Sequence, residues 1–223
     1  MKSRARESSR RVALAAAVIS LFACASLFVY APRGRAQTEA GEQPGLAELK
    51  KGEYEHAVQV FGARLAKNPA DAEAEKYLLR AYVETGRYAE AETSARKFLS
   101  KTPEAGGVRH MLGEALAATG RYAEAVREFE AAAQVLAKSE GHRAERLESE
   151  LRRAEVLELT GQESRAREIF QSLVGYYNES GPEAAPELTV VARAFARLDK
   201  PKDASDLYVA AIDDDSSHIE AQL

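Results

Sequence analysis

The chain has 223 residues, 45% hydrophobic and 30% charged, with a formal net charge of -4, enough for one ordinary domain. Proline and glycine number only 7 and 14 and sit mostly at regular punctuation points, which argues against disorder for the bulk of the chain, and the single cysteine, Cys24, excludes a disulfide framework or thiolate metal site beyond it. Residues 37–223 carry 24 Lys/Arg against 34 Asp/Glu, a net charge of -10, which speaks against nucleic acid or an anionic lipid surface as a partner, since both call for a basic footprint.

The first element is a targeting segment. Lys2, Arg4, Arg6, Arg10 and Arg11 precede an apolar run from Val12 to Ala31, and PRGRAQT follows. Positive charge, then an apolar stretch, then small residues at a cleavage point is the pattern of a bacterial secretory signal. Cleavage is expected after Ala36, with Gly34 the second small residue; Ala23-Cys24-Ala25 is an alternative site. The rival reading is a retained anchor, because twenty residues at about 1.5 Å each reach roughly 30 Å, enough to span a bilayer. In either case the excess of cations before the run leaves the remainder outside the cytoplasm, periplasmic or extracellular. Leu21-Phe22-Ala23-Cys24 loosely matches a lipidation signal, but Phe22 suits it poorly and the apolar run continues past the cysteine. Arg10-Arg11 loosely matches a twin-arginine signal, but Ala13 stands where that motif wants phenylalanine, so two ordinary cations read better.

After a short linker, residues 37–43, the chain becomes periodic. GRYAEA occurs at Gly86–Ala91 and again at Gly120–Ala125, 34 residues apart, and GEYEHA stands one further period earlier at Gly52–Ala57. Self-similarity at such a period means stacked structural units. The glycines at 52, 86 and 120 end one helix, where a left-handed conformation costs glycine little. Tyr54, Tyr88 and Tyr122 begin the next helix, and Ala57, Ala91 and Ala125 let two helices approach. Asn68-Pro69 and Thr102-Pro103 stop the second helix, because the residue before proline avoids the α region. Ala57, Val58, Phe61 and Leu65, like Tyr77, Leu78, Ala81 and Tyr82, are spaced for one helical face.

This pattern resembles the tetratricopeptide repeat family. The third unit carries Gly113, Gly120, Tyr122, Ala125, Phe129 and Ala132; the second carries Tyr82, Gly86, Tyr88, Ala91 and Pro103; the first carries Gly52, Tyr54, Ala57, Phe61 and Pro69. The second departs at Leu79 and exchanges small for large, with Ala95 and Phe98 reversed. The leading helix of the first is cut short by Pro44, expected in its first turn. Two weaker units follow. Gly161, Ala166 and Phe170 mark the fourth after seven extra residues, KSEGHRA (Lys138–Ala144), read as a longer loop or an extended helix. Ala192, Ala204, Tyr208 and Ala211 mark the fifth, where Asp199 and Pro201 replace glycine and tyrosine.

The resemblance implies an all-α fold: a right-handed α-α superhelix of about five helical hairpins, preceded by the signal or anchor helix. The units are expected near 44–69, 70–103, 104–137, 145–180 and 182–216. SHIEAQL, Ser217–Leu223, reads as the opening of a further helix with Ser217 as its N-cap, so the chain is expected to be the front part of a longer protein.

No motif supports catalysis, and no cofactor or metal is expected. His56, His110, His142 and His218 form no metal-ligand pair. His110 and Glu114 lie one turn apart and read as a solvated or packed pair. Gly106-Gly107 reads as a turn. The glutamates 148, 150, 155 and 158 read as a charged helix face, because calcium needs oxygens converging from a sharply turned loop.

In the resembled family the first helices line a concave groove. The corresponding residues here are Glu73, Lys76, Arg80, Glu84, His110, Glu114, Glu148, Glu155, Glu158, Arg193 and Arg197. Lys76, Arg80 and Glu84 form one row and Arg193 with Arg197 another, so their cations are candidates to hold a peptide carboxylate. The plainer reading is a solvated face with internal pairs such as Lys76 with Glu73. The asparagine and complete first helix used by relatives that clamp chaperone tails are missing. The expectation is a non-enzymatic scaffold that binds a protein or peptide and meets the membrane only through its N-terminal segment. The alternatives are the adaptor part of an exported hydrolase or peptidase, and an array that associates with itself through its repeat ends.

Overall fold

The computed structural model describes residues 45–215. The expected signal or anchor, Pro44 and the segment Ser217–Leu223 lie outside the described residues. Ten α-helices and one 3-10 turn, Glu140–His142, make up the described chain, and no strand occurs among the described residues. The helices are α1 Leu46–Lys50, α2 Tyr54–Lys67, α3 Ala72–Glu84, α4 Tyr88–Leu99 and α5 Gly106–Ala118, followed by α6 Tyr122–Leu136, α7 Arg143–Leu159, α8 Glu163–Ser180, α9 Ala185–Arg197 and α10 Pro201–Asp214. They pair in chain order as five hairpins, and each hairpin stacks on the next to form a solenoid.

The turn inside each hairpin has one design. Gly52, Gly86, Gly120 and Gly161 take φ between 72° and 77°, so the first helix ends in a left-handed residue. In the fifth hairpin Asp199 does the same at φ 59°; a short polar side chain tolerates this conformation where most side chains do not. The second helix then opens directly on Tyr54, Tyr88 or Tyr122, or on Pro201, whose fixed φ suits a first helical position.

Within the hairpin, size is matched across the helix pair. A Cβ placed on Gly113 of α5 would lie 2.7 Å from the Phe129 ring of α6, and one on Gly45 would lie 2.5 Å from Phe61 of α2. The small residue is therefore the seat of an aromatic ring, and both rings are fully buried. Ala154 faces the same register as Phe170, and Ala192 as Tyr208, within their own buried clusters. The second hairpin inverts the pair: Leu79 is large, Ala95 is small, and both are fully buried in one cluster. The exchange of small for large in the sequence is thus compensated across the hairpin.

Three local readings are corrected or refined. Gly106-Gly107 is not a turn: the two residues are the first two of α5. Gly106 is buried so closely that a Cβ would lie 2.5 Å from Leu136, so glycine is there for packing. Lys67 ends α2 directly before extended Asn68 (φ -134°), but α4 ends at Leu99, ahead of Thr102-Pro103, through a turn over Ser100–Lys101. The seven extra residues make both a 3-10 turn and a longer helix: α7 has 17 residues where α3, α5 and α9 have 13.

Overpacking a core site typically costs about 1–3 kcal/mol, and truncating a buried phenylalanine about 3–5. Gly113→Leu and Phe129→Ala are each expected to lower the urea midpoint. The double variant rebuilds the Leu79/Ala95 arrangement and should lose clearly less than the sum of the two. Additive losses would show that the two positions do not share one volume.

Candidate functional site

The first helices α3, α5, α7 and α9 surround an open hollow of about 450 Å³. Of the residues expected there, Lys76, Arg80, Glu84, His110, Glu114, Glu148 and Arg193 line it. Glu73 stands beside it as a partner of Lys76, and Glu155 is buried beneath it, 8% exposed. Arg197 and Glu158 do not line it: Arg197 lies 3.2 Å from Glu158 and 3.7 Å from Glu155.

The cations of the floor are satisfied by the protein itself. Lys76 Nζ donates to Glu73 at 2.9 Å and to Glu145 of α7 at 2.5 Å. Burial works against its charge, but the two carboxylates outweigh it and raise its pKa above the ordinary value. Arg152 donates through Nε and Nη2 to both oxygens of Glu114, at 2.7 and 2.9 Å, and through Nη1 to Glu155. Arg193 donates to Glu148 at 2.9 Å and to Glu155 at 2.9 and 3.0 Å. Burial pushes the Glu114 carboxyl up, yet the forked bond from Arg152 overrides this and holds it below the usual range. The result is an alternating chain of charges tying α5 to α7 and α7 to α9. Arg80 differs. Its side chain is 52% exposed and its nearest carboxylate, Glu84, is 3.9 Å away, outside hydrogen-bond range.

His110 is packed rather than solvated. Its ring lies 5.3 Å from that of Phe129, and Nδ1 is 3.0 Å from Ser149 Oγ. The Ser149 hydroxyl donates to the Glu145 carbonyl at 2.9 Å, so its oxygen accepts from His110 Nδ1–H. Burial holds the His110 pKa below 6.5 despite Glu114 Oε1 at 3.8 Å from Nε2.

Several lining residues escape the sequence reading. Tyr77 and Met111 stand one residue after the expected Lys76 and His110, Arg152 one turn after Glu148 and Val190 one turn before Arg193, and with Val83 and Pro186 they supply its apolar and cationic walls. Arg152 and Val190 were available from the spacing, because residues three or four apart in a helix share a face. Glu145 and Ala144 come from the inserted turn of α7, which has no counterpart in a regular unit. Among the described residues, no group of three or more His, Cys, Asp or Glu side chains is placed to hold a metal ion. No helix among them is long and apolar enough to cross a membrane.

These features agree with the comparisons. Tetratricopeptide repeat profiles match residues 45–106, 78–141 and 148–180. The chain belongs to the tetratricopeptide repeat family. Among solved structures, a thermophilic tetratricopeptide repeat protein of Thermus thermophilus is 21% identical, with 80% of this chain and 91% of that one covered and a TM-score of 0.56. A tetratricopeptide repeat protein from Parabacteroides merdae is 18% identical, with 80% and 65% covered and a TM-score of 0.58. MamA is 15% identical, with 81% and 99% covered and a TM-score of 0.50. At these identities the likeness is one of fold. No curated protein matches the chain.

The buried imidazole has a consequence for pH. The unfolded chain binds a proton at His110 as pH falls below about 6.5, while the folded chain resists it, so stability from this group is lost as pH falls through that range toward the folded pKa. Between about pH 7.5 and 5.5, urea midpoints of the native chain are expected to fall more than those of His110→Gln. Parallel slopes would show that His110 titrates alike in both states.

Proposed function

We propose that this protein is a non-enzymatic scaffold of the bacterial cell envelope that binds a protein or peptide in the hollow between α3, α5, α7 and α9. The observation that carries the reading is the convergence of four first helices on one open hollow of about 450 Å³. Its walls offer Tyr77, Val83, Met111, Pro186 and Val190 to apolar side chains. Its sunken cations, Lys76, Arg152 and Arg193, already hold internal carboxylates. A partner therefore gains most from apolar contact, and Arg80 is the lining cation placed to receive a carboxylate or a carbonyl. An envelope location is supported by the basic N-terminus and the apolar run Val12–Ala31.

A photo-crosslinking residue at Arg80 in the full chain, expressed in its native host, is expected to give a discrete adduct. The same residue at Arg127, exposed on α6 and outside the hollow, is expected to give none. Val83→Glu should abolish the Arg80 adduct. Equal adducts from both positions, or an adduct indifferent to Val83→Glu, would remove the hollow as the binding surface.

Location is tested separately by fractionation and N-terminal sequencing. The protein is expected in the envelope or periplasm with Gln37 as its first residue if the signal is cleaved, or with an intact N-terminus in the membrane fraction if it is retained. Full-length protein confined to the cytosol contradicts export.

A further inference from the structure

Lys76 and Glu145 are 69 residues apart and belong to the second and fourth hairpins. Their pair therefore passes over the third. The path exists because residue 107 is glycine: a Cβ there would lie 2.7 Å from Lys76 Cδ and 3.6 Å from Glu145 Oε2. The lysine stem fills the space that a side chain on α5 would take, and its side chain is only 12% exposed. The Nζ also lies 4.5 Å from the centre of the Tyr77 ring, which steers it along the same path.

Among the joints between α3, α5, α7 and α9, the one this pair crosses is the loosest. Helices α5 and α7 touch far less than α3 and α5, or α7 and α9, do. The added turn at the start of α7 carries Glu145 to that joint. On the concave side α5 meets α7 through polar groups: His110 reaches Ser149, and Glu114 holds Arg152. Contact between these hairpins runs instead between α6 and α7, where Val126 packs against the cluster of Leu147, Leu151 and Ala154.

We propose that the inserted turn of α7 acts as a strap: the Lys76–Glu145 ion pair, threaded through the notch at Gly107, ties the fourth hairpin to the second and sets the width of the hollow. An ion pair of this kind contributes little net stability, because desolvation offsets much of its attraction, but it selects one geometry among several of similar energy. Releasing it lets the α5–α7 joint open. The proposal concerns the protein without a partner, so it stands or falls apart from the binding role given above.

The test is a distance measured by double electron–electron resonance. Spin labels at Ala89 of α4 and Gln171 of α8, both exposed, are placed in the full chain with Cys24→Ser. Lys76→Met keeps the stem and removes the charge. Gly107→Ala keeps both charges but blocks the path of the stem, and it raises helix propensity, which guards against unfolding. Each is expected to shift the distance distribution to longer and broader values than in the parent. Combining them should add no further shift, because both release the same strap. A distribution unchanged from the parent in both single variants would overturn the proposal, as would a shift in Lys76→Met with none in Gly107→Ala.

Discussion

The constraint on which the molecule depends is the close approach of two helices within each hairpin. A ring from the second helix must sit where the first helix has almost no side chain. Phe61 on Gly45 and Phe129 on Gly113 meet this literally, since any Cβ at either glycine would collide with the ring. The second hairpin shows what the constraint requires. With Leu79 and Ala95 the large and small partners have changed sides, and both remain fully buried. Volume summed across the pair is what the hairpin conserves, as expected where interiors are packed to the density of crystals. The left-handed residue between the helices sets their angle, and aspartate serves at position 199 because a short polar side chain reaches the same conformation.

Regular hairpins stack regularly, and a stack presents its first helices along one side. The hollow arises where that regularity fails. Seven extra residues precede α7, which is longer by a turn and touches α5 less than it touches α9. Polar groups then do across the gap what apolar packing does elsewhere. Arg152 is forked onto Glu114 while it also holds Glu155, and Arg193 meets Glu155 from the other side. Removing one member of such a network leaves a buried charge without its partner, a loss larger than the net stability the intact pair contributes. The network also leaves few charges in the hollow available to a ligand. That shifts the attraction offered to a partner toward the apolar walls.

Much of this was legible in the residues. Glycine followed two residues later by tyrosine located the turns, and the helical spacing of apolar residues located the core. Even the inserted segment was visible as a break of seven in a period of 34. The groove was legible only in part. The row Lys76, Arg80, Glu84 does line the hollow, but Glu155 lies beneath it and Arg197 is held by Glu158 and Glu155. Arg152 stands one turn after Glu148, on the same helix face, which a pattern of fixed positions overlooks. Gly106 and Gly107 looked like a turn because paired glycines usually are one; their neighbours Leu136 and Lys76 come from other helices, Lys76 from another hairpin.

By itself, the sequence determined the repeat, its period, the helical hairpin and the places where the chain reverses. These depend on interactions within about 34 residues, and local chemistry specifies them. Only the tertiary structure decided which charges pair and how wide the hollow stands. Lys76 has a sequence-local partner in Glu73, and sequence spacing finds it. Its second partner, Glu145, is brought near only by stacking two hairpins around a third, through a notch at Gly107 that exists because a side chain is missing there. Contacts between distant units follow from the angle at which the hairpins stack, and no periodicity along the chain records that angle.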